Sequence, residues 1–276
     1  MIDSLGIHVG PIYIRFYALF LIAGMLAGLW LTAQRAARRG LNTEHIWNGF
    51  FWALLPGLIG ARLYHVLTPS PASGLTTEHY LQNPLEILAI WKGGLGIYGA
   101  ILGGFLGIVI YGLRQKEPII RWLDVIAPGM ALGQAIGRWG NFVNQELYGA
   151  PSDLPWAISI DRTNRLPGYE SFERFHPLFL YESLWMVATC LILIYVDRRW
   201  GKRLRNGAVI LLYLMSYALI RFLLDFVRLD SHTLGGGLTT AQVISFLVFI
   251  LAGGVILIRQ RIGGRESSTA EGIPAE

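Results

Sequence analysis

The chain has 276 residues, 53% of them hydrophobic and 15% charged, with a net charge of +5. An ordinary water-soluble domain carries about 25% charged residues, so this composition excludes that class, and the mean hydropathy is positive. The basic residues sit in short clusters between apolar runs, a pattern set by membrane topology and not by nucleic acid; the single cysteine, Cys190, excludes an intramolecular disulfide, a cysteine zinc site and a paired redox motif.

Seven apolar segments follow in order, at roughly 13–34, 47–68, 94–113, 122–138, 178–196, 207–228 and 239–258. Runs of about 18 or more such residues can cross a bilayer as helices. They predict an all-α polytopic membrane protein, with seven transmembrane helices in a single integral membrane domain over residues 1–276. The first segment has no basic region before it and no small-residue cleavage site after it, so it reads as a retained span. No internal repeat stands out, which argues against a repeat-built transporter. Glycines at four-residue spacing, Gly24/Gly28, Gly99/Gly103/Gly107 and Gly133/Gly137, suit close helix packing in lipid.

The regions after segments one, three, five and seven hold 14 of the 23 basic residues, among them Arg35, Arg38 and Arg39, and Arg198 to Arg205. Basic loops stay in the cytoplasm, which places the N-terminus outside and the C-terminus inside. Of the outer connections, residues 69–93 are rich in Pro, Ser and Thr, with an apolar 85–91 stretch suited to the interface. Residues 144–177, between helices four and five, form a small extracytoplasmic head with a short strand at Pro155–Ile160. The tail 263–276 is small and polar, which predicts disorder.

Ionisable residues inside the segments converge on one level. With this topology Arg62, Arg138, Glu182, Arg221, Asp225 and Arg228 all fall in outer halves, and Tyr17 and Tyr98 join them. Asp124 is the exception at an inner edge, where pairing with Arg121 and snorkelling account for it. Arg221, Asp225 and Arg228 are spaced four and three apart and share a helix face. Four arginines against Asp225 and Glu182 leave a surplus of two positive charges at headgroup depth. A buried Arg is costly and its fork suits phosphate, so a phospholipid headgroup is the matching anion. The six histidines are scattered without ligand spacing, so no metal is expected.

The densest polar stretch is Gly137-Arg138-Trp139-Gly140-Asn141-Phe142-Val143-Asn144-Gln145-Glu146-Leu147-Tyr148-Gly149, at the end of the fourth segment. An interfacial Trp with an anchoring Arg explains part of it, but not the two amides and the glutamate. This stretch resembles the signature Gly-Arg-x-Gly-Asn-Phe-x-Asn-x-Glu-x-x-Gly of the bacterial phosphatidylglycerol–prolipoprotein diacylglyceryl transferases. Further support comes from Arg15-Phe16-Tyr17, Gly60-Ala61-Arg62, Trp91 to Gly99, Asp124, Pro128, His176-Pro177 with Tyr181-Glu182, and Arg221, Asp225 and Arg228. Three positions depart from the family's pattern: Tyr98 stands where some members carry a histidine, Asp225 replaces a glutamate, and Phe179 occupies a position that is often glutamine.

The resemblance implies an inner-membrane enzyme that moves the diacylglyceryl group of phosphatidylglycerol onto a lipobox cysteine of a prolipoprotein, with no cofactor. A thioether forms and glycerol-1-phosphate leaves. It implies Arg138 and Arg221 on the phosphate, Asn141 and Asn144 orienting the headgroup, and Glu182 and Asp225 holding the arginine forks. Tyr98 would orient the thiol or relay its proton. Tyr17, Arg62, Glu146, Gly149, His176 and Arg228 complete the substrate-binding set. The rival reading is a transporter or flippase of anionic lipid using the same arginines, against which stands the clustering of charge at one leaflet.

Overall fold

In the computed structural model, which describes residues 5–9, 12–69, 75–90, 93–201, 203–229 and 237–270, each of the apolar segments contains a helix. Trp91, Lys92, Lys202 and residues 271–276 of the tail lie outside the described residues. The chain divides into two compact units, residues 1–35 with 120–276, and residues 36–119.

The larger unit opens with an antiparallel hairpin, β1 (Gly6–Val9) on β2 (Ile12–Arg15), in the register Gly6↔Arg15 to Val9↔Ile12. The first helix, α1 (Phe16–Arg38), therefore starts later than residue 13. Ile12 and Ile14 alternate with Tyr13 and Arg15, and β-branched residues at period two favour a strand over a helical turn.

Three helices form the core of this unit: α6 (Ile119–Val143), α7 (Leu178–Trp200) and α8 (Ala208–Leu224). Ala127, Ala131 and Ala135, one turn apart on α6, share a buried cluster with Met186, Cys190 and Leu193 of α7 and Val209, Tyr213 and Ile220 of α8. Small residues along such a stripe let neighbouring helices approach, which is where packing energy in lipid comes from. Against α1 the approach is closer still. A Cβ on Gly24 would lie 2.6 Å from the Gly133 carbonyl oxygen, and one on Gly28 would lie 2.7 Å from that of Gly129. The paired glycines of α6 are thus Gly129 and Gly133; Gly137 has ordinary room. The remaining helix, α9 (Thr240–Ala270), runs on into the stretch expected to be disordered. Propagating a helix from a long apolar stem costs little per residue compared with starting one.

Two charged positions differ from the sequence reading. Asp124 is 3% exposed, and its carboxylate accepts the N–H groups of Gly207 (2.6 Å) and Ile210 (2.9 Å). It caps the first turn of α8 from another helix, because those N–H groups have no partner within α8. Arg35, counted above as a loop charge, is buried; its Nη2 lies 2.7 Å from Asp197 Oδ2.

Between α6 and α7 the head folds around Tyr148, Ile160 and Phe175. Its strands β3 (Ile158–Ser159) and β4 (Arg174–Phe175) pair antiparallel. The Tyr148 hydroxyl donates to the Asn164 carbonyl (3.0 Å) and accepts from the Leu166 N–H (2.6 Å). Burial pushes this phenol above its ordinary pKa, against the opposing pull of the Leu166 N–H and Arg165.

The smaller unit pairs α2 (Glu44–Leu67) with α5 (Ile97–Gln115), joined through the short α3 (Thr77–Gln82) and α4 (Pro84–Ile87). Side chains at Gly60, Gly99, Gly103 or Gly107 would overlap carbonyls of the facing helix, so backbone lies on backbone.

Among the described residues, six helices are long and apolar enough to cross a membrane; the shorter apolar α8 has 17 residues. Trp30, Leu55, Ile101, Leu191 and Leu251 are among many large apolar side chains left exposed on these helices. Surface apolar residues at that density call for lipid as the surrounding medium.

Candidate active site

At the C-terminal end of α6 in the larger unit, Arg138 Nη2 lies 2.5 Å from Glu182 Oε2, on the first turns of α7. Its Nη1 donates to Asn141 Oδ1 (3.3 Å), whose amide in turn donates to Glu146 Oε1 (2.7 Å). Arg228 Nη1 stands 4.0 Å from the other oxygen of Glu182. One carboxylate, 8% exposed, thus holds two guanidinium groups from different elements. The α6–α7 register that permits this is fixed one residue away. Ser183 Oγ donates to the Ala135 carbonyl (2.8 Å) and accepts from Trp139 Nε1 (3.2 Å). Phe179 stacks on Phe142 at 4.6 Å.

A second ion pair lies at the C-terminal end of α8. Arg221 Nη1 is 2.8 Å from Asp225 Oδ1, one turn on, and the Asp225 side chain is fully covered. That nitrogen is buried and makes no aligned hydrogen bond, since proximity to the carboxylate is not matched by direction. Asp225 Oδ2 accepts the hydroxyl of Thr239. The Thr239 Oγ1 accepts the N–H of Gln242 (3.0 Å), and the Thr239 N–H donates to Gln242 Oε1 (3.0 Å). This is a reciprocal capping box at the start of α9. Sequence reasoning passed over it, although Thr239-Thr240-Ala241-Gln242 carries the signal.

The charge balance is tighter than the sequence suggested. Within this unit three arginines face Glu182 and Asp225, with Glu146 linked through Asn141. Glu146 is exposed, so solvent screens its charge.

Of the other expected residues, the Tyr17 ring lies over Gly140, where a Cβ would come within 2.7 Å of it. Gly149 sits between the His176 and Val227 backbones: its N–H donates to the His176 carbonyl (3.0 Å), and that of Ala150 to the Val227 carbonyl (2.7 Å). A side chain at Gly149 would meet His176 Cβ at 2.9 Å, so the close approach requires glycine. His176 Nδ1 is 3.2 Å from the Tyr181 hydroxyl, which also accepts from Trp156 Nε1 (2.8 Å). Asn144 lies on the head side of the cluster, in a loop where Gln145 and Leu147 adopt left-handed backbone (φ 52° and 55°). Non-glycine residues in that region are strained and are held there by their surroundings. Gln145 is braced by Asp161 and Asn164.

Tyr98 and Arg62 belong to the smaller unit. Tyr98, on the first turn of α5, is exposed and packs beside Tyr64 at 5.7 Å. Arg62 is buried and donates to the carbonyls of Glu86, Ile87, Gly93 and Gly94 at 2.5–2.9 Å. Four of its five N–H donors are spent holding the loop between α4 and α5. Among the described residues, no group of three His, Cys, Asp or Glu side chains could hold a metal ion.

A family model described as prolipoprotein diacylglyceryl transferase matches residues 5–259. The chain belongs to that family. Relatives named phosphatidylglycerol–prolipoprotein diacylglyceryl transferase include one from Synechococcus elongatus, 40% identical over 87% of this chain and 82% of its own length. Another, from Paenarthrobacter aurescens, is 39% identical over 96% of this chain and 84% of its own. A Streptomyces coelicolor protein with that name and the suffix 2 is 40% identical over 88% and 75%. With the six long apolar helices, membership makes this a multi-pass membrane protein.

Proposed function

We infer that this chain is a transferase of lipoprotein biosynthesis. It moves the diacylglyceryl group of phosphatidylglycerol to a cysteine thiol of a prolipoprotein, as the names of its relatives state for them. The observation that carries the site assignment is the sharing of Glu182 by Arg138 and Arg228, to which this reading adds the Arg221–Asp225 pair. The acceptor is the lipobox cysteine. Its sulfur forms a bond to the glyceryl carbon that bears the phosphate; the C–O bond breaks, and glycerol-1-phosphate leaves with the electron pair.

Each residue has a part in that step. Arg138 and Arg221 stabilise the charge that grows on the departing phosphate, the kind of contact that lowers a barrier most in a water-poor site. Glu182 and Asp225 aim those forks, Asn141 orients the headgroup, and Tyr17 and Arg228 position the lipid. A free thiol has a pKa near 8.5, so positive charge nearby raises its ionised fraction. Tyr98 orients the thiol or relays its proton. Arg62 serves this reading indirectly, by holding the loop that leads into α5. The enzyme sits in the bacterial inner membrane with α8 as a seventh span, the N-terminus outside and the head on the outer side.

The test is incubation of purified protein with phosphatidylglycerol labelled in its diacylglyceryl group and a lipobox peptide. Label moves to the peptide with release of glycerol-1-phosphate, and Arg138→Ala and Arg221→Ala each abolish transfer while still inserting into membranes. Near-normal transfer by either variant refutes the assignment.

A further inference from the structure

The head carries a cavity of about 260 Å³ lined by residues 144–148, Asn164 and Leu166. We propose that it receives the one or two residues that follow the acceptor cysteine of the protein substrate, bound in an extended conformation. The proposal rests on the transferase reading above and names a subsite for its peptide.

Four observations select a peptide. The cavity shares Glu146 with the chain Glu146–Asn141–Arg138, so it adjoins the group assigned to the leaving phosphate. Its lining contains no lysine or arginine, and its one charged residue, Glu146, is acidic. A phosphate-bearing headgroup would meet a like charge there, whereas a neutral peptide would not. The N–H groups of Leu147 and Tyr148, and the Asn144 side-chain amide, have no hydrogen-bond partner among the described residues. Unspent N–H donors beside apolar walls can be met by the carbonyls of a bound peptide. The wall is also held in place. Gln145 Oε1 accepts from the Asp161 N–H (2.6 Å) and from Asn164 Nδ2 (3.2 Å), and its Nε2 donates to Asp161 Oδ2 (2.9 Å). These bonds pin the left-handed turn, so little ordering remains to be done on binding. The volume is below the roughly 300–1,000 Å³ of pockets that enclose whole small ligands, which suits part of a longer chain.

Two lipobox peptides test this, one ending at the cysteine as an amide and one extending three residues beyond it. Wild-type protein uses the longer peptide with a kcat/KM about tenfold to a hundredfold higher, the range set by one well-filled subsite. Leu166→Trp fills the cavity and brings the longer peptide down to the level of the shorter, with KM for phosphatidylglycerol unchanged. Equal use of the two peptides by wild type overturns the proposal and leaves the transferase reading intact. A raised KM for phosphatidylglycerol in Leu166→Trp also overturns it, in favour of a lipid occupant. If neither peptide is modified, the transferase reading itself fails and the subsite falls with it. Should Leu166→Trp not fold, a benzophenone at the second residue past the cysteine decides on wild-type protein. Cross-linking to residues 144–166 supports the subsite, and cross-linking elsewhere overturns it.

Discussion

Replacing Asp225 by Asn removes one charge and keeps the shape of the side chain. The carboxylate is fully covered, lies 2.8 Å from Arg221 Nη1 and accepts the Thr239 hydroxyl that caps α9. Breaking a buried ion pair from one side costs about 3–5 kcal/mol, because the partner is left uncompensated. Arg221 keeps 22% of its side chain exposed, so water recovers part of that loss. Discounted for that screening, the expected destabilisation is about 2–3 kcal/mol. For a chain of this size that lowers the thermal transition by roughly 4–12 °C. The lone cysteine supplies the assay: Cys190 is buried on α7, and a thiol-reactive dye reports its exposure as the larger unit opens. Turnover falls by about a hundredfold as Arg221 loses its aim. A transition within about 1 °C of wild type, with turnover within about twofold, would refute the reasoning.

Tyr98→Phe keeps the ring against Tyr64 and removes only the hydroxyl, so it costs less activity than either arginine-to-alanine change; if it is the most damaging of the three in the transfer assay, Tyr98 is the base or relay. Arg62→Gln leaves the carbonyls of Ile87, Gly93 and Gly94 without the Arg62 donor, while that of Glu86 keeps the Ala89 N–H (3.2 Å). At about 1–3 kcal/mol for each such group that water does not reach, the loop before α5 opens, and limited proteolysis cuts it faster than in wild type. An unchanged digestion rate would contradict the role given to Arg62.

Helix positions were legible because long apolar runs leave a chain in lipid little choice but to satisfy its backbone internally. The hairpin at residues 6–15 was not, since a hydropathy window absorbs Tyr13 to Arg15 into the following span. Its signal lay in the alternation around Gly10-Pro11. Arg35 was misread because counting loop charges assumes that they face water, whereas Asp197 takes it up inside the larger unit. Asp124 was read as snorkelling beside Arg121, whereas it is buried against the first turn of α8. Spacing placed Arg221 and Asp225 on one face. That Glu182 serves both Arg138 and Arg228 depends on how α6, α7 and α8 pack, which no local pattern encodes. Arg62 was placed in the substrate-binding set by depth and by resemblance; neither reveals that four carbonyls occupy its fork.

The central claim is that a guanidinium fork, and not merely a positive charge, meets the departing phosphate. Arg138→Lys keeps the charge beside Glu182 and removes the fork, so its transfer rate with phosphatidylglycerol and a lipobox peptide is the most direct measurement. The account predicts a loss of about a hundredfold or more in kcat/KM, with membrane insertion and the thermal transition close to wild type. Retention of activity within about threefold would contradict it.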